Sequence, residues 1–249
     1  MLRLPDTVAT RSGSAAATRL QGAIASAPEG SLLVVIGAHR FGDDVNDPLR
    51  KLVRGSAWGG VLLVEASPPI AEELRQAVSV RNPLPRVPSS KIVVSNVGIR
   101  DNKGAQNATR PFFTFTGEGD GLPTWSTQIG SFNPVRFFRQ MSGFARVGNW
   151  TREKIAAKVV RSKVACRSIV DEISRHATLA QSRPAVMMID VEGLDCRVVA
   201  AQDWCAEPLN RLHLLVFEYK HCTEHAFRAA QQSLARCPWY GPTYTFANG

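Results

Sequence analysis

A chain of 249 residues, 44% of them hydrophobic and 20% charged, is long enough for one sizeable α/β domain with its own core. No apolar run approaches the roughly 18 to 20 residues that cross a bilayer, and the N-terminal stretch lacks the continuous apolar segment of a secretory signal, so a soluble intracellular protein is expected. The formal net charge of +9 is unevenly spread, with nine Lys or Arg and the single acid Glu153 between Arg136 and Arg167.

Residues 1–25 hold Arg3, Arg11 and Arg19 among Ser, Thr and Ala, with Asp6 as the one acid. That is the composition of an organelle transit segment, and equally of a poorly ordered arm. The remainder, 26–249, is expected to form a single domain. Leu32 to Ile36 is a short buried strand that runs into Gly37-Ala38-His39-Arg40-Phe41-Gly42. Glycine at a strand end lets the backbone turn tightly and approach a ligand closely. Asp47-Pro48 predicts a capped helix that Gly55 closes. A second strand, Gly60 to Val64, ends in Glu65, and Ser67-Pro68-Pro69 opens a helix with Ile70, Leu74 and Val78 on one face. An acid at the end of the second strand of a βαβ unit is placed to accept hydrogen bonds from ribose hydroxyls; otherwise Glu65 caps the following helix.

The third strand is expected over Lys91 to Ser95, with Asn96 at its end either reaching an adenine or holding a turn. Pro111 to Thr116 alternates like an edge strand, and the glycine-rich Gly117 to Gly121 then opens a long segment. Leu122 to Phe144 is rich in aromatics and poor in helix signals, so 117–150 reads as a substrate loop, with Trp125, Ser131 and Phe132 as acceptor-binding candidates. A short strand is expected at Val164 to Arg167, followed by a helix capped by Ser168.

The run Ala185 to Ile189, bounded by Pro184 and by Asp190-Val191-Glu192-Gly193, is a strand buried on both faces. Its two carboxylates therefore lie at the carboxyl edge of the sheet, where open α/β folds bind ligands. A helix over Leu194 to Asp203 leads to a fifth strand, Leu212 to Phe217, in which His213 is expected to be a core histidine, and the strand ends in Glu218-Tyr219-Lys220-His221. Thr223 caps a further helix, and Trp239 to Phe246 is expected to add an antiparallel strand. The five cysteines, Cys166, Cys196, Cys205, Cys222 and Cys237, show no C-x-x-C pair, which argues against a zinc ribbon and for free thiols in a reducing compartment.

Strands alternating with helices predict a doubly wound, mostly parallel, Rossmann-like α/β sheet with helices on both faces. Several stretches together resemble the FkbM-type methyltransferases, a family that uses S-adenosylmethionine: Ile36-Gly37-Ala38-His39 with Gly42, Val64-Glu65-Ala66-Ser67-Pro68, Ile129-Gly130-Ser131-Phe132, Ser168 to Asp171, Ile189 to Gly193, and Phe217 to His221. The resemblance covers Leu32 to about Leu234 in family order. It implies a methyltransferase sheet, with a cofactor over Gly37, Ala38, His39 and Gly42, Glu65 on its ribose, and Asn96 nearby. It further implies transfer of a methyl group to a hydroxyl of a sugar, glycan or small metabolite beside Asp190, Glu192, Glu218 and His221. Such a displacement requires near-attack geometry and removal of the hydroxyl proton; a carboxylate or His221 acting as base ranks above a divalent metal held by Asp190 and Glu192. Val35 stands where the family has an acid before Ile-Gly, and Arg40 follows His39. The alternative is a catalytically inactive relative that holds an anionic polymer through the basic 136–167 segment. Nucleic acid is disfavoured, since base-reading motifs and interleaved stacking aromatics are not evident. A nicotinamide-dependent oxidoreductase fits the βαβ unit but lacks the triple-glycine fingerprint.

Overall fold

A computed structural model describes residues 13–41, 53, 56–101, 108–115, 129–143, 150–176, 178–179 and 182–237. Its centre is a five-stranded sheet built from the apolar runs: β1 (Leu32–Ile36), β2 (Gly60–Val64), β3 (Ile92–Ser95), β8 (Pro184–Ile189) and β9 (Leu214–Phe217). The order is β3-β2-β1-β8-β9, and every pairing is parallel. All residues of β1, β2 and β8 are buried. That is what a strand covered on both faces demands, and it explains why their sequences are unbroken apolar runs.

Alternate side chains divide between two cores. Leu32, Val34, Ile36, Met187 and Ile189 face a layer formed by α5 (Ile169–Ser174), α6 (Asp195–Ala201) and α7 (Glu224–Ala235), whose Ile173, Val199 and Leu234 are buried against them. Leu33, Val35, Leu63, Val186 and Met188 face the other way, toward Ile24 of α1 (Gly13–Ala25) and Leu74 and Val78 of α2 (Pro68–Arg81). Helices thus cover both faces, and each fully buried aliphatic side chain contributes about 1.5–3 kcal/mol. The chain crosses from β3 back to the centre before adding β8, so the strand order reverses between β1 and β8. The caps behave locally, as their positions predict: Ser168 Oγ accepts the Asp171 amide at 3.0 Å and Thr223 Oγ1 the Ala226 amide at 3.2 Å.

A second, four-stranded sheet of order β4-β7-β5-β6 joins β4 (Gly98–Ile99), β5 (Thr109–Phe115), β6 (Gly130–Ser131) and β7 (Val159–Arg167). A small core of Phe115, Ile129, Phe137, Met141 and Ile155 lies beneath it with α3 (Pro134–Met141) and α4 (Arg152–Ala157). Charged and buried side chains tie this sheet to the first. Buried Asp101 accepts Arg110 Nη1 at 2.8 Å, and Arg197 of α6 lies 2.8 Å from its other oxygen. Glu172, 1% exposed, accepts Arg167 at 2.6 Å and pairs with His176 at 2.7 Å. Burial pushes the Glu172 carboxyl up, but hydrogen bonds from Ser95, Arg167 and His176 outweigh burial and hold it below its ordinary value. A depressed carboxyl of this kind contributes stability above its unfolded pKa and loses it as pH falls through the folded one.

Several sequence expectations change here. Residues 13–25, within the stretch read as an arm, form α1. The strand read as Val164 to Arg167 is nine residues long; its N-terminal half, with Val160, Arg161 and Lys163 exposed, resembles a surface segment. The strand at Pro111 is not an edge: β5 lies between β7 and β6. Pro111 is tolerated because β6 pairs only with Phe113 and Thr114, so no ladder bond is asked of it on that side. The segment read as a loop contains β6 and α3, and the overlooked signal is Asn133-Pro134. Asn133 Oδ1 accepts the Arg136 amide at 3.2 Å and proline occupies the first turn. His213 is exposed, with its ring 3.0 Å from Ser26 Oγ, since β9 begins only at Leu214. The helix expected after Asp47, the Gly117 to Gly121 loop and the strand at Trp239 lie outside the described residues.

Candidate functional site

The reversal of strand order between β1 and β8 opens a crevice at the carboxyl edge of the sheet, and the chain continues the ladder into it. Gly37 and Ala38 both donate to the Val64 carbonyl, at 2.9 and 3.0 Å. Asp190 donates to the Ile36 carbonyl at 2.9 Å and Glu218 to Ile189 at 3.3 Å. Gly37 has φ +78°, and a Cβ there would lie 1.7 Å from the Asp190 carbonyl oxygen. Only glycine allows the β1 loop and the β8 loop to approach this closely.

Glu65, 8% exposed, fastens one wall. One carboxylate oxygen accepts the His39 amide at 2.8 Å and the other the Ser67 amide at 2.7 Å. Ser67 is the residue that precedes α2, so Glu65 both shapes the loop after β1 and anchors the start of that helix. Asn96 Nδ2 donates to the carbonyls of Glu65 and Ala66 at 2.9 and 3.1 Å, which makes it a holder of this turn. Ser67 Oγ is buried with no hydrogen-bond partner among the described residues. Arg40 does not turn its guanidinium into the crevice unopposed: its Nε donates to Glu73 of α2 at 2.8 Å. Val35, where the resemblance has an acid, is 5% exposed and packed in the core with Phe41.

The opposite wall is acidic. Asp190 is exposed at the strand end, while Glu192 and Glu218 are half-buried. Glu192 (φ +52°) and Gly193 (φ +80°) bend the loop in the left-handed region. The positive φ favours glycine at position 193, and the Arg136 guanidinium lies against it, with Nη1 1.8 Å from where a Cβ would stand. Burial raises the Glu192 carboxyl above its ordinary value, the neighbouring charges of Asp190 and Glu218 raise it further, and Arg136 opposes them. The structure therefore brings Asp190, Glu192 and Glu218 into one electrostatic group. His221 is exposed on the turn after Glu218.

Two residues that the sequence reading did not single out organise this wall. Arg136, previously the first member of a basic segment, reaches Gly193 from the first turn of α3. Asp195, fully buried, accepts the Val191 amide at 3.0 Å and the Gly193 amide at 2.9 Å. Burial pushes its carboxyl up to about 6, against the amide hydrogen bonds that lower it. Since the folded value lies above the unfolded one, this group favours folding most below its unfolded pKa, and that contribution is lost as pH rises through about 6. Asp195→Ala is expected to cost about 2–4 kcal/mol by leaving two amides without acceptor and to remove that segment of the pH dependence. Urea unfolding of both proteins at pH values on either side of 6 checks it.

Of the acceptor-binding candidates, Ser131 and Phe132 have structural work within the second sheet. Ser131 Oγ accepts the Asn133 amide at 3.1 Å, and the Phe132 ring packs on Phe112 with centroids 4.7 Å apart and against Gly98. Trp125 and Gly42 lie outside the described residues, as does most of the 117–150 segment apart from β6, α3 and its flanks. Within the basic segment, Arg167 pairs with Glu172, the Arg161 guanidinium carbon is 6.0 Å from the Phe113 ring centroid and Arg136 lies on Gly193, while Arg139, Lys154 and Lys163 are exposed. Among the described residues no group of three His, Cys, Asp or Glu side chains has the geometry to hold a metal ion. None of the described helices is long and apolar enough to cross a membrane.

Searches of family models, curated proteins and solved structures returned no match to this chain.

Proposed function

We propose that the chain is an S-adenosylmethionine-dependent O-methyltransferase acting on a hydroxyl of a sugar, glycan or small metabolite. One observation carries the reading: at the reversal point of a parallel sheet, a glycine loop stapled by a buried glutamate faces three clustered carboxylates, Asp190 and Glu192 after β8 and Glu218 after β9. The donor group fits the first wall. Glu65 is buried at the end of β2, and beside it the buried Ser67 hydroxyl has no hydrogen-bond partner among the described residues. The bound cofactor supplies a methyl group on a positively charged sulfur. The carboxylates of Asp190, Glu192 and Glu218 give this edge a negative potential that favours a cation.

On the second wall, the chain's task is to accept the proton of the acceptor hydroxyl. A carboxylate with a raised pKa is a stronger base than an ordinary one, and burial together with the charges of Asp190 and Glu218 raises Glu192 in this way. Arg136 and Asp195 fix the loop on which it stands. Arg40 pairs with Glu73, which offsets the positive charge it would otherwise present to a cationic donor.

S-adenosylhomocysteine at about 100-fold its dissociation constant is expected to stabilise the protein by about 2.7 kcal/mol, a rise in Tm of roughly 5 to 10 °C. A melting curve unmoved by millimolar ligand would overturn the reading. A second reading, an inactive module for an anionic polymer, rests on the exposed Arg139, Lys154, Arg161 and Lys163. It requires heparin binding that falls steeply with salt and is indifferent to S-adenosylhomocysteine.

A further inference from the structure

Cys196 and Cys222 are joined in a disulfide with their Cα atoms 6.0 Å apart, contrary to the expectation of five free thiols. The sequence hides the pairing because 26 residues separate the two and only the packing of α6 on α7 brings them together. Cys196 lies in the first turn of α6, and Cys222 immediately precedes the Thr223 cap of α7. This bridge closes the amino ends of two neighbouring helices.

The carboxyl ends of the same two helices carry another pair. Cys205 follows α6 by one turn and is exposed, while Cys237 follows α7 and is 1% exposed. The two ends are in register: Ser233 Oγ of α7 donates to the carbonyl of Gln202, the residue after α6, at 3.3 Å. Cys237 lies one helical turn beyond Ser233, and Cys205 three residues beyond Gln202. Both Cys237 and Trp204, the neighbour of Cys205, belong to the same core cluster. Cys237 is the largest influence on the Cys205 thiol, so the two side chains lie near each other.

We infer that Cys205 and Cys237 form a second disulfide, so that α6 and α7 are clasped covalently at both ends and Cys166 is left as the odd, buried thiol. The oxidant is a small-molecule or protein disulfide. The exposed Cys205 thiolate attacks one of its sulfurs and releases a thiol, giving a mixed disulfide. Cys237 then displaces the second thiol and closes the bridge, so two cysteine thiols are oxidised and one external disulfide is reduced. The hydrogen bond to Cys237, then burial and the charge of Asp203, push the Cys205 thiol up to about 11. Closure is accordingly slow at neutral pH and faster in alkaline buffer. The clasp bears on the site, because α6 begins at Asp195 and the turn that leads to Cys222 begins at Glu218.

The test incubates the full chain with oxidised glutathione in mildly alkaline buffer, denatures it, alkylates free thiols and maps peptides without reduction. A peptide pair linked through Cys205 and Cys237, beside the Cys196 to Cys222 pair, with Cys166 alkylated, supports the inference. Alkylation of both Cys205 and Cys237, persistent glutathionylation of Cys205, or a link from either to another cysteine overturns it. In Cys205→Ser, Cys237 is expected to become fully alkylated while the Cys196 to Cys222 link persists; protection of Cys237 in that variant also overturns it.

Discussion

Gly37→Ala is expected to be among the most damaging single substitutions in this chain. The added Cβ would meet the Asp190 carbonyl oxygen at 1.7 Å and its carbon at 2.7 Å, and both obstacles are backbone, so no rotamer change relieves them. The residue must also hold φ +78°, which costs an L-residue about 1–2 kcal/mol before any collision. The β1 and β8 loops would have to separate, breaking the hydrogen bonds from Gly37 and Ala38 to Val64 and from Asp190 to Ile36. Destabilisation above about 4 kcal/mol and loss of the S-adenosylhomocysteine shift are the expected outcomes, read by urea unfolding and thermal melts. Gly22→Ala is the control. Gly22 lies inside α1 and a Cβ there meets nothing within 4 Å, so the same substitution is expected to stabilise by about 0.5–1 kcal/mol. Equal behaviour of the two variants would refute the argument that close approach requires Gly37.

Asp190→Asn and Glu192→Gln are expected to act on turnover instead. Both keep the shape of the side chain, and neither residue lies on the wall formed by Gly37 and Glu65. Loss of a proton acceptor costs on the order of 10²- to 10⁴-fold in rate, while the thermal shift with S-adenosylhomocysteine should survive in both. Glu65→Ala is expected to show the reverse, losing the shift first, because it releases the His39 and Ser67 amides. The pH profile gives the sign. A base works when deprotonated, so activity should rise with pH through the raised pKa of Glu192, above the range of an ordinary glutamate. Glu218→Gln removes one charge that raises this carboxyl and should move the acidic limb to lower pH; Arg136→Met removes the charge that lowers it and should move the limb up. Limbs that stay in place in both variants would show that Glu192 is not the titrating group.

Much of the sheet was legible in the chain because its signals are local. The apolar runs at Leu32, Gly60 and Ala185 could only be strands covered on both faces, and the caps at Ser168 and Thr223 act within three residues. The polar residues after β1, β2, β8 and β9 follow from the same reading, since parallel strands place all their carboxyl ends on one edge. Residue order alone thus located Gly37, Glu65, Asp190, Glu192 and Glu218 on that edge. Tertiary structure decided how they are held. Contacts of Arg136 with Gly193 and of Cys196 with Cys222 join segments far apart in the chain, and no period or spacing encodes them. Nothing in the sequence marks Asp195, and only the packed structure shows it buried and accepting the Val191 and Gly193 amides. The second sheet escaped for a related reason: β7 owes its strand state to pairing with β5, not to its own alternation of charged and apolar residues. Patterns of burial can be read locally because water acts on every residue alike, whereas the partners of a buried charge or thiol exist only once distant elements have packed.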